Sequence, residues 1–277
     1  MDWHLILPAE TGWGRADWEN AREIRLRPGR PVSFLGPKGM GWGTHPLSPE
    51  EIFRAAQALS GHRLAARAEE LREGFLALPG GHRLGVCGRL GPQGFEEISS
   101  LCVRMAHEIK GVGDALFPQV QGRNLLICGA PGAGKTTLLR DLIRLYGLAG
   151  TQVGLADARG EVAACQGGAP QLDVGPCCDV ITGGRRSKTL LLLLRAMAPQ
   201  VLATDEIGGA EDFLALSEAR RCGALLLATL HAGSLEDIKK RPGLRPLLQE
   251  GLFDQAVLLP GPGEPPILYG EDALCNG

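Results

Sequence analysis

The stretch Leu125-Leu-Ile-Cys-Gly-Ala-Pro-Gly-Ala-Gly-Lys-Thr-Thr-Leu-Leu-Arg-Asp-Leu-Ile-Arg144 decides the fold. Its opening, Asn124 to Cys128, is a short apolar strand, and Lys135 to Tyr146 carries apolar residues at helical spacing. Between them the sequence fits G-x-x-x-x-G-K-[ST] at each fixed position, with Gly129, Gly134, Lys135 and Thr136. Gly129, Ala130, Pro131, Gly132, Ala133 and Gly134 are expected to curl so that successive backbone N–H groups converge on phosphate oxygens. The helix starting at Lys135 aims its positive end at the same point. Lys135 is expected to bridge β- and γ-phosphates and Thr136 to ligate Mg²⁺, with Thr137 completing the nucleotide contacts.

Further along, Val201-Leu-Ala-Thr204 reads as a buried strand that ends in two acids, Asp205 and Glu206. Asp205 is placed to accept a hydrogen bond from magnesium-bound water, and Glu206 to polarise the water that attacks the γ-phosphate. Adjacent carboxylates repel, which argues for a cation beside them. Another strand, Ala224 to Thr229, runs on to Leu230 and His231. If it lies between the first two, His231 faces the γ-phosphate and Glu206. A strand at Gln152 to Ala156, a Leu-rich helix at 188–198 stopped by Pro199, and a helix near Gly209 to Arg221 complete the alternation. Strands alternating with helices make a parallel sheet covered by helices. No N/T-K-x-D signature for guanine occurs, so ATP is favoured over GTP.

Upstream the pattern changes. The segment Gly111 to Gly122, GVGDALFPQVQG, combines glycines and a proline between two periodic regions. It suggests a small mixed α+β domain over 1–115 and the phosphate-loop domain over 116–277. In the first, Glu23 to Arg27 alternates as a strand before Pro28-Gly29. Ser48-Pro49-Glu50-Glu51 opens a helix that runs through Phe53, Ala56 and Leu59, and His82 to Cys87 follows a turn as another strand.

Composition narrows the function classes. The 29 basic and 31 acidic side chains give a net charge of −2, and aromatics make up 5% of the chain. A globally basic nucleic-acid binder with stacking platforms is thereby excluded. Forty glycines and nineteen prolines predict many turns and backbone-lined sites. No apolar run reaches the roughly 18 residues that span a bilayer. The start, Met1-Asp-Trp-His4, has no secretory signal pattern. Eight cysteines show neither C-x-x-C pairing nor zinc spacing, which fits a reducing cytoplasm, and Cys87, Cys128 and Cys222 are expected to pack as small hydrophobes.

The runs LLICGAPGAGKTTLLRDLIR, GLADARGEVAA, GAPQLDVG, LLLLRAMAPQVLATDEIGGAEDFLAL and ATLHAGS resemble the stage III sporulation protein AA family of endospore-forming bacteria. That family is similar to the ATPases of type II and type IV secretion and of pilus retraction. EIRLRPGRP, GGHRLGVCG and ISSLCVRMAHEIKG extend the resemblance, so that it covers most of 22–260. It implies a mixed N-terminal domain joined to a RecA-like ATPase domain, with ATP at the subunit interface of a ring, a hexamer or similar. It implies acidic-box positions at Asp157, a nucleotide contact, and Glu161, with His231 in a histidine box. Arg83 and Arg104 become candidate arginine fingers, and Arg195 an Arg ahead of the Asp205 strand. The chain departs from the pattern at Ala158, where a second acid is expected, and in CCDVITGGRRSK, 177–188, which reads as a mobile loop.

The resemblance further implies a motor for a secretion-like channel between mother cell and forespore. It would be cytoplasmic and peripheral to the membrane on the mother-cell side, with membrane proteins as partners. Two other readings stand beside this one. One is a single-stranded nucleic-acid-dependent ATPase, although no Arg-x-x-x-His module is apparent and nucleic acid is not an expected partner. The other is a nucleotide-binding scaffold that hydrolyses little.

Overall fold

The computed structural model describes residues 21–36, 39–62, 64, 66–67, 71, 75–91, 94–241, 243–261 and 263–275. The first four residues, read above for a targeting signal, lie outside this set. The chain divides into two compact units, Met1–His107 and Glu108–Gly277.

In the first unit, alternating polar and apolar residues build one antiparallel sheet. Its strands are β1 (Glu23–Leu26), β2 (Pro31–Gly36), β3 (Gly39–Pro46), β4 (Leu76–Ala77), β5 (Arg83–Gly91) and β6 (Gly94–Arg104). They lie in the order β3-β2-β1-β6-β5-β4. Ile24, Leu26, Leu84, Leu101 and Val103 point to one side, where they share a core with Ile52, Ala55, Ala56 and Leu59 of helix α1 (Pro49–Leu59). That helix starts where expected. The Glu51 amide donates to Ser48 Oγ at 3.2 Å and the Ser48 amide donates to Glu51 Oε2 at 2.7 Å, a reciprocal capping box. Phe53, within this helix, is exposed, because the helical period puts Ile52 and Ala56 inward.

The second unit holds β7 (Leu125–Gly129), β8 (Val153–Asp157), β9 (Cys178–Thr182), β10 (Val201–Thr204), β11 (Leu225–His231), β12 (Gln255–Leu259) and β13 (Ile267–Gly270). Its longer helices are α2 (Lys135–Leu148), α3 (Arg186–Met197) and α4 (Ala210–Arg221). The sheet order is β13-β12-β7-β11-β10-β8-β9, parallel except at β13, which pairs antiparallel with β12. β11 therefore lies between β7 and β10, with His231 opposite Gly129 and Ala228 opposite Thr204. Strands buried on both faces explain the continuous apolar runs of β7 and β10.

Three expectations change here. The stretch 177–188 is not a loop: Cys178–Thr182 pairs in parallel with β8, and α3 begins at Arg186. The adjacent Gly183 and Gly184, both at positive φ, mask a short edge strand that carries β-branched Val180 and Ile181. The segment Gly111 to Gly122 belongs to the second unit. The Gly113 amide donates to buried Asp141 at 2.8 Å, and Leu116 and Val120 join the core around Leu125 and Ile127. Its glycines shape a turn into a short helix, Phe117–Val120. Of the cysteines, Cys128 is buried but Cys87 and Cys222 are exposed, on the open side of β5 and just past the end of α4. No described helix is long and apolar enough to cross a membrane.

Candidate active site

The loop from Gly129 to Gly134 joins β7 to α2. Gly132 and Gly134 adopt φ of 79° and 97°, which side-chain-bearing residues rarely take. Gly129 is needed for space: a Cβ there would lie 2.9 Å from the Leu259 carbonyl oxygen. Ala130, Pro131 and Gly132 are exposed, Ala133, Thr136 and Thr137 half-buried, and Lys135 buried. The Lys135 ammonium folds back on the loop, donating to the carbonyls of Gly129 at 3.0 Å and Ala130 at 2.9 Å. It also approaches His231 Nδ1 at 3.1 Å. An ammonium can only donate, so Nδ1 accepts, and the His231 proton sits on Nε2. That N–H donates to Glu206 Oε1 at 2.8 Å.

Glu206 follows β10 with φ of 52°, in the left-handed region. Its backbone is held there by the N–H, which donates to Thr229 Oγ1 at 2.7 Å. The Thr229 hydroxyl in turn donates to Asp205 Oδ1, and the Thr229 carbonyl accepts from the Ile207 amide at 2.9 Å. Asp205 Oδ2 accepts from Thr136 Oγ1 at 2.9 Å. The second oxygen of Glu206 is in an ion pair with Arg159.

The two adjacent acids are tuned in opposite directions. Burial raises Asp205 above the ordinary aspartate range, the hydroxyls of Thr229 and Thr136 offset this in part, and the neighbouring Glu206 and Glu161 charges add to it. For Glu206, burial also pushes upward, but the His231 hydrogen bond and the charges of Arg159, His231 and Lys135 outweigh it and leave the carboxyl low. Burial lowers Lys135, and Asp205 and Glu206 counteract that. Thr136 and Asp205 thus present two hard oxygen donors 2.9 Å apart, one of them a buried carboxylate whose hydrogen bonds among the described residues come from the hydroxyls of Thr136 and Thr229. This donor set suits a hard divalent cation such as Mg²⁺.

Asp157 stands at the end of β8, beside β10, yet it serves its own loop. Its carboxylate accepts from the amides of Glu161 at 2.9 Å, Val162 at 3.2 Å and Ala163 at 2.9 Å. Arg140 of α2 donates to the carbonyls of Val162 at 2.6 Å and Glu161 at 2.7 Å. Arg83 and Arg104 belong to the first unit, opposite each other on β5 and β6. Arg83 lies 4.3 Å over the Phe75 ring, and Arg104 Nε is 3.8 Å from Glu23. Arg195 is exposed, with Nη2 3.6 Å from Glu218. The loop residues, Asp205, Glu206 and His231 therefore share one site at the C-terminal edge of the parallel sheet. Sequence reading missed Thr229 and Arg159. A hydroxyl within the apolar run LLLATLH was a legible signal for Thr229, whereas nothing local marks Arg159 among many arginines.

A parallel sheet with this strand order, whose glycine-rich loop leads from β7 into α2, defines a RecA-like phosphate-loop α/β domain. A smaller α+β unit precedes it. The chain belongs to the family described as Sporulation stage III, protein AA, which matches residues 11–272. It is 34% identical over 271 residues to Stage III sporulation protein AA of Bacillus subtilis strain 168, covering 92% of this chain and 88% of that protein. Among solved structures, it is similar to the Legionella pneumophila ATPase DotB with TM-score 0.63 and 17% identity, over 88% of this chain and 73% of that one. It is similar to the pilus retraction motor PilT with bound ADP, with TM-score 0.63 and 18% identity, over 91% of this chain and 79% of that one. At these identities the two structures establish a shared fold.

Proposed function

We propose that the protein is an ATP-hydrolysing motor of a secretion-like channel complex used in endospore formation. The observation that carries this reading is the linked set Lys135–His231–Glu206, with Thr136–Asp205–Thr229 beside it, at the mouth of the glycine-rich loop. Glu206 is the proton acceptor for the attacking water: its carboxyl is held low, and its position is fixed by His231 and by the Thr229-bound backbone. Lys135, released from the loop carbonyls, carries charge to the β- and γ-phosphates. Thr136 and Asp205 would hold Mg²⁺, which when bound supplies positive charge to the phosphate oxygens. His231 keeps the lysine and the carboxylate in register.

Family membership supports the link to sporulation, and the fold shared with the ATPase DotB and with PilT, a retraction motor with bound ADP, supports a nucleotide-driven machine. On this reading copies of the chain assemble into a ring, a hexamer or similar, with Arg83 and Arg104 as the candidate arginine fingers. The ring works on the membrane through membrane-protein partners on the mother-cell side. Equilibrium binding of Mg–ATP with sedimentation velocity tests the reading. Lys135→Ala is expected to lose binding, and Glu206→Gln to retain ATP and sediment as a larger species. Unchanged ATP affinity in Lys135→Ala would exclude the site as the nucleotide site.

A further inference from the structure

We propose that Arg159 is a positioning residue through which a γ-phosphate frees Glu206: its guanidinium closes the carboxylate in the nucleotide-free site and moves to phosphate oxygens when a nucleoside triphosphate binds. This rests on the ATP reading above. Both oxygens of Glu206 are occupied, Oε1 by His231 Nε2–H and Oε2 by Arg159. One acceptor site on each carboxylate oxygen is taken by these partners and the cationic one also lowers the basicity of the group, so departure of Arg159 makes Glu206 a better acceptor for a water proton.

The structure assigns the moving part. On one side, the backbone of Glu206 is pinned to Thr229, and its side chain is 17% exposed. On the other, the loop that carries Arg159 is clamped from both ends. Asp157 holds the amides of 161–163, Arg140 holds the carbonyls of 161 and 162, and the Gly160 amide bonds back to the Asp157 carbonyl at 3.1 Å. Gly160, at φ of 62°, allows that tight return. Between two fixed backbones, the Arg159 side chain is 61% exposed and is the group able to swing.

Electrostatics supplies the direction. Lys135 and Arg159 bracket the His231–Glu206 pair from its two ends, so on the ATP reading a γ-phosphate held by Lys135 enters a chain of contacts that ends at the guanidinium. The incoming phosphate brings more negative charge than the carboxylate, and guanidinium pairs with phosphate through two parallel hydrogen bonds. On the same reading a diphosphate lacks the γ-phosphate that competes for the guanidinium. Arg159 then contributes to affinity for triphosphate and not for diphosphate, and Glu206 is its competitor.

Calorimetric titration of the full chain with Mg²⁺ and either ADP or the non-hydrolysable analogue AMP-PNP tests this. Arg159→Ala is expected to weaken AMP-PNP binding about tenfold, the size of one charged hydrogen bond, and to leave ADP binding unchanged. Arg159→Lys is expected to restore part of the loss. Glu206→Gln is expected to tighten AMP-PNP binding in the wild-type background and to have no such effect in Arg159→Ala. Equal shifts for the two nucleotides, or no shift for AMP-PNP, would overturn the proposal while leaving the ATP reading intact. If the wild type binds neither nucleotide, the ATP reading falls and this proposal with it.

Discussion

Thr229 joins the two acids of the site, because one hydroxyl donates to Asp205 and accepts from the Glu206 amide. Thr229→Val keeps the shape and removes both bonds, leaving a buried carboxylate oxygen and a backbone N–H without partners. The expected cost is about 1–3 kcal/mol in urea denaturation, with a fall in hydrolysis that exceeds any change in ATP affinity. Stability equal to wild type would show that the hydroxyl does not hold Glu206 in its left-handed conformation. At this scale the sequence was informative where chemistry and spacing coincide. Lys135, Thr136, Asp205 and Glu206 follow from the loop motif and from acids at a strand end. Arg159 was not legible, because its partner is 47 positions away and the contact exists only once β8 and β10 are neighbours. Asp157 was legible as an important acid, but its use by three amides of its own loop depends on a turn that no spacing rule specifies.

Between β4 and β5, His82 ties two elements of the first sheet together, its Nδ1 accepting from the Ala106 amide at 2.9 Å. Burial, with a smaller effect from His107, lowers it from 6.5 to about 4. Its folded value lies below its unfolded one, so its contribution to stability is complete above pH 6.5 and is lost as pH falls through about 4. His82→Gln keeps an acceptor and cannot be protonated in this range. Melting temperatures at pH 7.5 and pH 5 are expected to fall further for wild type than for His82→Gln. Parallel losses would place the acid sensitivity elsewhere. Elements with strong local signals were read correctly, α1 from Ser48-Pro49-Glu50-Glu51 and β10 from four strand-like residues before two acids. β9 was missed because it is a short edge strand followed by two glycines, and only pairing with β8 makes it a strand. The Gly111 to Gly122 segment reads as a domain boundary because turn residues mark both boundaries and the tight turns within a domain; the bond to Asp141 is what sequence does not show.

For the molecule as a whole, ligand binding and assembly are the readouts. A ligand that binds only the folded state at 100 times its dissociation constant stabilises it by about 2.7 kcal/mol. Mg–ATP is therefore expected to raise the melting temperature of the wild type and to leave that of Lys135→Ala unchanged, and an equal rise in both would locate binding away from the loop. The parallel architecture was legible as strand–helix alternation, and β11 does lie between β7 and β10, which brings His231 opposite Gly129. The proposed ring leaves no comparable pattern in one chain, since it would depend on surfaces whose partners are other copies. The most direct test of the central claim is steady-state phosphate release from Mg–ATP by wild type and Glu206→Gln at saturating nucleotide. Release by the wild type that falls by about 10²–10⁴-fold in the variant, with ATP still bound, is the expected result. Equal release by the two proteins would contradict a hydrolytic site built on Glu206.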